Sequence, residues 1–225
     1  MEFGNRVALV TGAGSGIGRA SALRLARGGA RVVALSRTQG EIDQTRDAII
    51  QAGGKAIAVT ADISDEDDMR RAVEQTLNSY GRIDIVVANA GINGMWAPID
   101  ELTPAEWDKT MNVNLRGTYL TLHHTVPALK KQGGAIVIVS SINGNRTFTS
   151  AGATAYSASK AAQVAMTKQL ALELGRDGIR VNAVCPGAID TEISDNTEKR
   201  NVAAVTIAAE FPDGDIPITG GEPGK

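Results

Sequence analysis

An α/β fold, a single domain built on a doubly wound parallel sheet, is what the sequence predicts, on three observations. Short and almost wholly apolar runs alternate with longer stretches of helical periodicity. Turns of glycine and small polar residues follow the ends of those runs. At 225 residues and 43% hydrophobic content, the chain has the length and apolar fraction of one domain with a full core. Strands covered on both faces read as continuous apolar runs. Six such runs, at 6–11, 30–36, 55–61, 83–88, 135–140 and 180–185, separated by helical segments, imply parallel pairing with right-handed crossovers.

The elements can be justified in order. The first run opens into Thr11-Gly12-Ala13-Gly14-Ser15-Gly16-Ile17-Gly18. Its glycines fit the spacing G-x-x-x-G-x-G through Gly12, Gly16 and Gly18, and not the commoner G-x-G-x-x-G. Glycines let a backbone approach a pyrophosphate, and a helix start offers unpaired N–H groups and a positive dipole end. The alternative is a tight turn and nothing more. No Gly-Lys-Ser/Thr follows, which excludes a Walker loop. The second run ends at Ser36-Arg37, where an acid would hold the ribose 2′-hydroxyl of NAD. Arg37 suits a 2′-phosphate instead, so NADP(H) is favoured and NAD(H) stays open, as does a merely solvated arginine.

After the third run, Met69, Ala72, Val73, Thr76, Leu77 and Tyr80 share one helical face, with Ser64 as the expected N-cap before Asp65, Glu66 and Asp67. Thr103-Pro104-Ala105-Glu106 is a capping box with proline at the first helical position, opening a helix to about Lys131 and a stop at Gly133-Gly134. A third long helix is expected from about 154 to 176, ending at Gly178. Beyond Pro186-Gly187 the chain turns polar. Residues 192–225 are read as a lid segment and tail, 212–225 as loop, with no strand to close the sheet.

Charge and composition exclude several functions. Lys and Arg total 23 against 25 for Asp and Glu, so no basic surface stands out for a nucleic acid. The single cysteine, Cys185, cannot form an internal disulfide or a cysteine-rich metal site. His123 and His124 have no ligand cluster near them in sequence, and no metal is expected. No apolar run approaches the roughly 18 residues of a membrane span, and with Met1 to Arg6 leading straight into the first strand no signal peptide is expected. A cytoplasmic protein is the expectation.

Tyr156 and Lys160 lie four apart at the start of the third long helix and so side by side on one face. A phenol with pKa near 10 is a poor acid–base group at neutral pH, and an adjacent ammonium is expected to lower it. That suggests proton chemistry, although such pairs also arise by chance.

With these segments in place, the sequence resembles the classical short-chain dehydrogenase/reductase family from Arg6 to Thr191. The likeness is carried by the Thr11–Gly18 turn, Asp62-Ile63, Asn89-Ala90-Gly91, Asn112-Val113-Asn114, Ser140-Ser141, Tyr156-x-x-x-Lys160 and Pro186-Gly187-Ala188-Ile189-Asp190-Thr191, in that order. The resemblance implies a Rossmann-like domain over 1–191 and an oxidoreductase that moves a hydride between NADP(H) or NAD(H) and a small carbonyl or secondary alcohol. A homo-oligomer, dimer or tetramer, is implied as well. Tyr156 would donate or take the proton, while Lys160 would tune it and hold the nicotinamide ribose. Ser141 would bond the substrate oxygen, and Asn114 would order a water beside Lys160. For the cofactor, Gly12, Ser15, Gly16, Ile17 and Gly18 would cradle the pyrophosphate, with Ser36 and Arg37 at the adenosine ribose. Asp62 and Ile63 would flank the adenine, and Asn89, Ala90 and Gly91 the ribose side. Pro186, Gly187, Ile189 and Thr191 would meet the carboxamide side.

Two departures from the family pattern stand out. The family serine lies 12 or 13 residues before the tyrosine, where this chain has Asn143; Ser141 is chosen because it keeps its place beyond the strand, with Ser140 in reserve on the opposite face. The family's last helix and strand have no counterpart before Lys225, so they are expected to be missing. Trp96 and Asn143 are candidate substrate contacts, and Asn93 and Arg146 weaker ones. A cofactor-binding sensor without turnover is the alternative from another class.

Overall fold

The computed structural model describes residues 2–145, 150–191, 193 and 196–206. Arg146 and the loop expected over 212–225 lie outside the described residues.

Six parallel strands form the sheet: β1 (Val7–Thr11), β2 (Arg31–Ser36), β3 (Lys55–Thr60), β4 (Ile85–Ala88), and further along the chain Gly134–Val139 and Ile179–Val184. Between β4 and Gly134 comes a short strand, β5 (Gly94–Trp96), so the last two sheet strands are β6 and β7. The order across the sheet is β3-β2-β1-β4-β6-β7. From β1 the chain first builds outward through β2 and β3, then returns to place β4 on the other flank of β1. That reversal opens a crevice at the carboxyl ends of β1 and β4, where open α/β sheets take ligands.

Side-chain alternation explains how the sheet is covered. Val7 and Leu9 face one core with Val33, Leu35, Val86 and Ile136, which α3 (Glu66–Tyr80) covers through Met69, Ala72 and Val73. Ala8 and Val10 face the opposite core with Val32 and Ala34, beneath Ala22 of α1 (Gly16–Arg27) and Ile42 of α2 (Gln39–Gln51). The outer strand β7 is not covered on both faces as its apolar run predicted. Arg180, Asn182 and Val184 are exposed, and burial alternates. Among the described residues it is an edge strand with one open face.

Helix ends follow the sequence signals, with one correction. The capping box at Thr103 and Glu106 is present and starts α4 (Pro104–Met111). The cap of α3 is Asp65, not Ser64: Asp65 Oδ1 accepts from the Asp68 N–H at 2.8 Å. Ser64 is already committed, since its N–H and its hydroxyl both donate to Asp62 Oδ1. The helix expected from Thr103 to Lys131 is continuous but widens to a π-helical turn at Asn112–Arg116 before α5 (Gly117–Leu129). The long helix α6 (Thr154–Leu174) ends through a short 3-10 turn at Gly178, whose φ of 70° is left-handed. Two short strands were not anticipated. β5 pairs in parallel with β8 (Thr197–Lys199) as a separate two-stranded sheet, and Arg200 fastens that segment to α4 by a two-pronged ion pair with Glu106 at 2.9 Å. Neither strand joins the main sheet.

Candidate active site

The turn between β1 and α1 is shaped by backbone. Gly12 and Gly16 have φ of 65° and 48°, left-handed values that disfavour a side chain. A Cβ on Gly18 would run into the Gly12 carbonyl and reach 2.5 Å from Asn89 Nδ2, so helix and strand meet there only through glycine. Ser15 takes the N-cap position in extended backbone but makes no side-chain cap bond, and the first turn of α1 holds no acid. By contrast, α3 and α4 are closed by capping carboxylate or hydroxyl groups. The start of α1 thus keeps its amides and its positive dipole end for a ligand anion, which fits the pyrophosphate of a dinucleotide.

A cleft of about 540 Å³ runs along these ends of the strands. Gly12, Ser15, Gly16 and Ile17 line it at the turn, and Ser36, Arg37, Asp62 and Ile63 at the β2–β3 side. Asn89, Ala90, Gly91 and Thr191 form the far wall. Thr11, quoted in the turn motif but given no role of its own from sequence, ties the two walls together. Its Oγ1 accepts from the N–H groups of Asn89 and Ala90 at 3.0 and 3.1 Å, while Asn89 Nδ2 donates back to the Thr11 carbonyl at 3.0 Å. At the ribose end, the exposed Arg37 guanidinium lies 3.8 Å from the Asp62 carboxylate. Arg19 and Glu41 also line the cleft. The first turn of α2 carries Glu41 over Gly14.

The proton-handling side chains gather where α6 crosses the ends of β4 and β6. Tyr156, Lys160, Ser141 and Asn114 are all buried. Lys160 Nζ donates to the Val139 carbonyl at 2.9 Å, stands 5.7 Å from the Tyr156 ring centroid, and lies 3.5 Å from where a Cβ on Gly91 would be. It therefore abuts the cleft wall. Strand alternation separates the two serines: Ser140 Oγ donates to the Lys160 carbonyl, while Ser141 is the serine that acts on the Tyr156 phenol. Asn114 is held on every side-chain atom. Oδ1 accepts from the Ile92 N–H at 2.8 Å, and Nδ2 donates to the Ile92 carbonyl and to Ser159 Oγ.

The electrostatics correct one expectation. Lys160 does not lower the Tyr156 phenol; burial raises it, and the Ser141 hydroxyl pulls it partly back. Desolvation brings Lys160 itself down to about 8. The ammonium thus gives up its proton before the phenol does, so Lys160 supplies no positive charge in the range where the phenol would ionise unaided. At neutral pH the chain presents a neutral phenol next to a charged lysine.

Comparison with known proteins bears on this arrangement. The model of the short chain dehydrogenase family matches residues 6–202. A crystal structure of a 3-ketoacyl-ACP reductase from Sinorhizobium meliloti 1021 is 64% identical, with TM-score 0.93 over 97% of this chain and 86% of that one. A 3-ketoacyl-(acyl-carrier-protein) reductase from Brucella melitensis, solved with NADH, is 38% identical, with TM-score 0.81 over 87% and 81% of the two chains. A Mycobacterium tuberculosis protein named as an uncharacterized NAD-dependent oxidoreductase is 44% identical over 83% of this chain and 72% of its own length. The chain belongs to the short chain dehydrogenase family. It is a hydride-transferring oxidoreductase that works with a nicotinamide cofactor.

Within this family frame, most residues singled out from the sequence converge on the cleft or its floor. Gly18 packs helix against strand and does not line the cleft, while Pro186 accepts from the Ile142 N–H and so fastens the Ser141 loop. Gly187 and Ile189 follow it without lining the cleft. Trp96 is half-buried in β5, with Lys199 Nζ 5.5 Å from its ring centroid. Asn143 is buried behind Ser141, its N–H donating to Ser141 Oγ and its Nδ2 to Ser150 Oγ. Asn93 bonds Thr197 across the β5–β8 pair. Gln163, buried on α6, was missed altogether; it shares the helix's buried face with Ser159, Lys160 and Thr167, and its spacing from Lys160 was the signal available.

Proposed function

We propose that the chain prefers NADP(H) and interconverts a carbonyl with a secondary alcohol, with Tyr156 as the proton donor and acceptor. The observation that carries this reading is the grouping of the buried Tyr156, Ser141 and Lys160, with the Lys160 ammonium against the Gly91 wall of the cleft. When bound, the nicotinamide supplies or takes up the hydride; the rest of the chemistry belongs to the chain. A neutral, desolvated phenol is the proton-donor form, which suits carbonyl reduction. Ser141, beside it, would hold the substrate oxygen, and a group placed between the two would take a proton as charge develops. Lys160, held by the Val139 carbonyl beside Gly91, would bond ribose hydroxyls and keep positive charge near the phenol at neutral pH. Asn114 fixes the Ile92 backbone behind that wall.

The preference for NADP(H) rests on Arg37, at the end of the cleft where β2 offers Ser36 in place of an acid, and on Arg19, which also lines the cleft. Two guanidinium groups favour a 2′-phosphate over a bare ribose hydroxyl. This is a reading of the chain's own residues: one relative is named NAD-dependent, and one similar structure was solved with NADH. Trp96 and Asn143 are proposed to border the substrate. The high identity to a 3-ketoacyl-ACP reductase makes 3-oxoacyl thioesters the first ketones to try. A homo-oligomer acting in the cytoplasm completes the reading, on the strength of the family likeness.

The test is a panel of ketones, with acetoacetyl-CoA first, read by nicotinamide absorbance with NADPH and with NADH. Turnover with NADPH, faster than with NADH at equal concentration, is the expected result. Cofactor binding without turnover on any member would return the chain to the sensor reading.

A further inference from the structure

Gln163 stands on α6 three residues beyond Lys160 and is 1% exposed. Its Nε2 donates to the Asn114 main-chain carbonyl and to Thr118 Oγ1, both at 2.8 Å, and the Thr118 hydroxyl donates to the same carbonyl at 2.7 Å. A carbonyl only accepts, and the Thr118 proton is already used. The amide therefore has one sensible orientation, with its nitrogen towards the π-helical turn. The two lone pairs of the Asn114 carbonyl are matched by two side-chain donors. On the other side of the amide, Oε1 has no hydrogen-bond partner among the described residues. A leucine or methionine would fill this space without burying an unmatched acceptor, so packing alone does not account for a glutamine here.

What the amide holds leads straight to the cleft. Asn114 sits in the π-helical turn, a local widening of the helix. Its side chain grips both backbone groups of Ile92 and donates to Ser159, whose hydroxyl donates to the Tyr156 carbonyl at 2.7 Å. Ile92 and Gly91 line the cleft. We propose that Gln163 is a positioning residue: by holding the Asn114 carbonyl it sets the turn whose side chain fixes the Gly91–Ile92 wall against the cofactor. This rests on the reading of the cleft as a nicotinamide dinucleotide site.

The experiment compares wild type, Gln163→Met and Gln163→Glu by NADPH fluorescence titration, with thermal unfolding alongside. Gln163→Met keeps the volume and removes the donor; the dissociation constant for NADPH should rise about tenfold while Tm stays close to wild type, because no buried acceptor is left unpaired on glutamine's side. Gln163→Glu adds a readout that packing would not move. A buried carboxyl has a raised pKa, and only its neutral form can donate to the Asn114 carbonyl. Its affinity, taken relative to wild type at each pH, should approach wild type in acid and weaken about tenfold as the carboxyl ionises. Should Gln163→Met fail to fold, the pH profile of Gln163→Glu decides alone. Wild-type affinity in the variants at every pH would overturn the proposal. A wild-type protein that bound neither NADPH nor NADH would be a different failure, that of the cleft reading, and would take the proposal with it.

Discussion

On the β1–β2–β3 side of the sheet the site is made of backbone: left-handed glycines, an uncapped helix start and open arginines along a cleft. On the β4–β6 side it is made of buried side chains, Asn114, Ser141, Tyr156, Lys160 and Gln163, nearly every polar atom of which is committed to a neighbour. The first half can admit a ligand because little occupies it. The second can do chemistry because little in it is free to move. Substitutions in the first should therefore act through shape and charge on binding; in the second, those at Tyr156 and Ser141 should act on proton transfer and its dependence on pH, and those at Gln163 on the wall that faces the cofactor.

Gly18→Val tests the backbone half most severely. Its Cβ would overlap the Gly12 carbonyl, so the turn must open. NADPH affinity should fall by about 100-fold or more, with Tm lowered by several degrees. Normal titration would break the claim that glycine alone permits this helix–strand contact. Arg37→Asp leaves the shape and reverses one charge. The ratio of NADPH to NADH affinity should fall by roughly tenfold to 100-fold, the worth of one charge-assisted contact. An unchanged ratio would discard the 2′-phosphate role and leave the rest of the comparison standing.

Lys160→Met sharpens the comparison from the buried side, with a smaller effect on stability. The wild-type lysine is held at about 8 against an ordinary 10.5. Below pH 8 both folded and unfolded chains carry the charge, and its burial costs about 3 kcal/mol. Between pH 8 and 10.5 the unfolded chain binds the proton that the folded one has lost, so wild-type stability rises with pH. The Tm difference, methionine variant minus wild type, should therefore be greatest near pH 7 and shrink by a few degrees across that window. A difference that stayed flat would show that Lys160 is not desolvated as described.

The same contrast explains what could be read from the sequence. Glycines at a strand end, the Thr103–Glu106 box and the alternation of apolar runs are local signals, and the parallel, doubly wound sheet and the turn followed from them. Ser64 was mistaken for a cap although its competitor is local: Asp62, two residues back, accepts from both its N–H and its hydroxyl and leaves the cap to Asp65. The strands β5 and β8, each three residues long and about a hundred apart, carry too little pattern to be seen before they pair. Lys160 and Tyr156 were found by spacing, yet the direction of the phenol's shift was misjudged. Spacing reports proximity, while the shift depends on how much water the fold removes from each group. Gln163 was missed, and Thr11 given no role of its own, for a related reason: their partners lie 49 and 78 residues away.

The central claim is that Tyr156 handles the proton in a cleft that binds its cofactor without it. Tyr156→Phe removes only the hydroxyl. With the best ketone of the panel, turnover should fall by about 1,000-fold while the NADPH dissociation constant stays within about twofold of wild type. Turnover within tenfold of wild type, with NADPH bound as before, would contradict it.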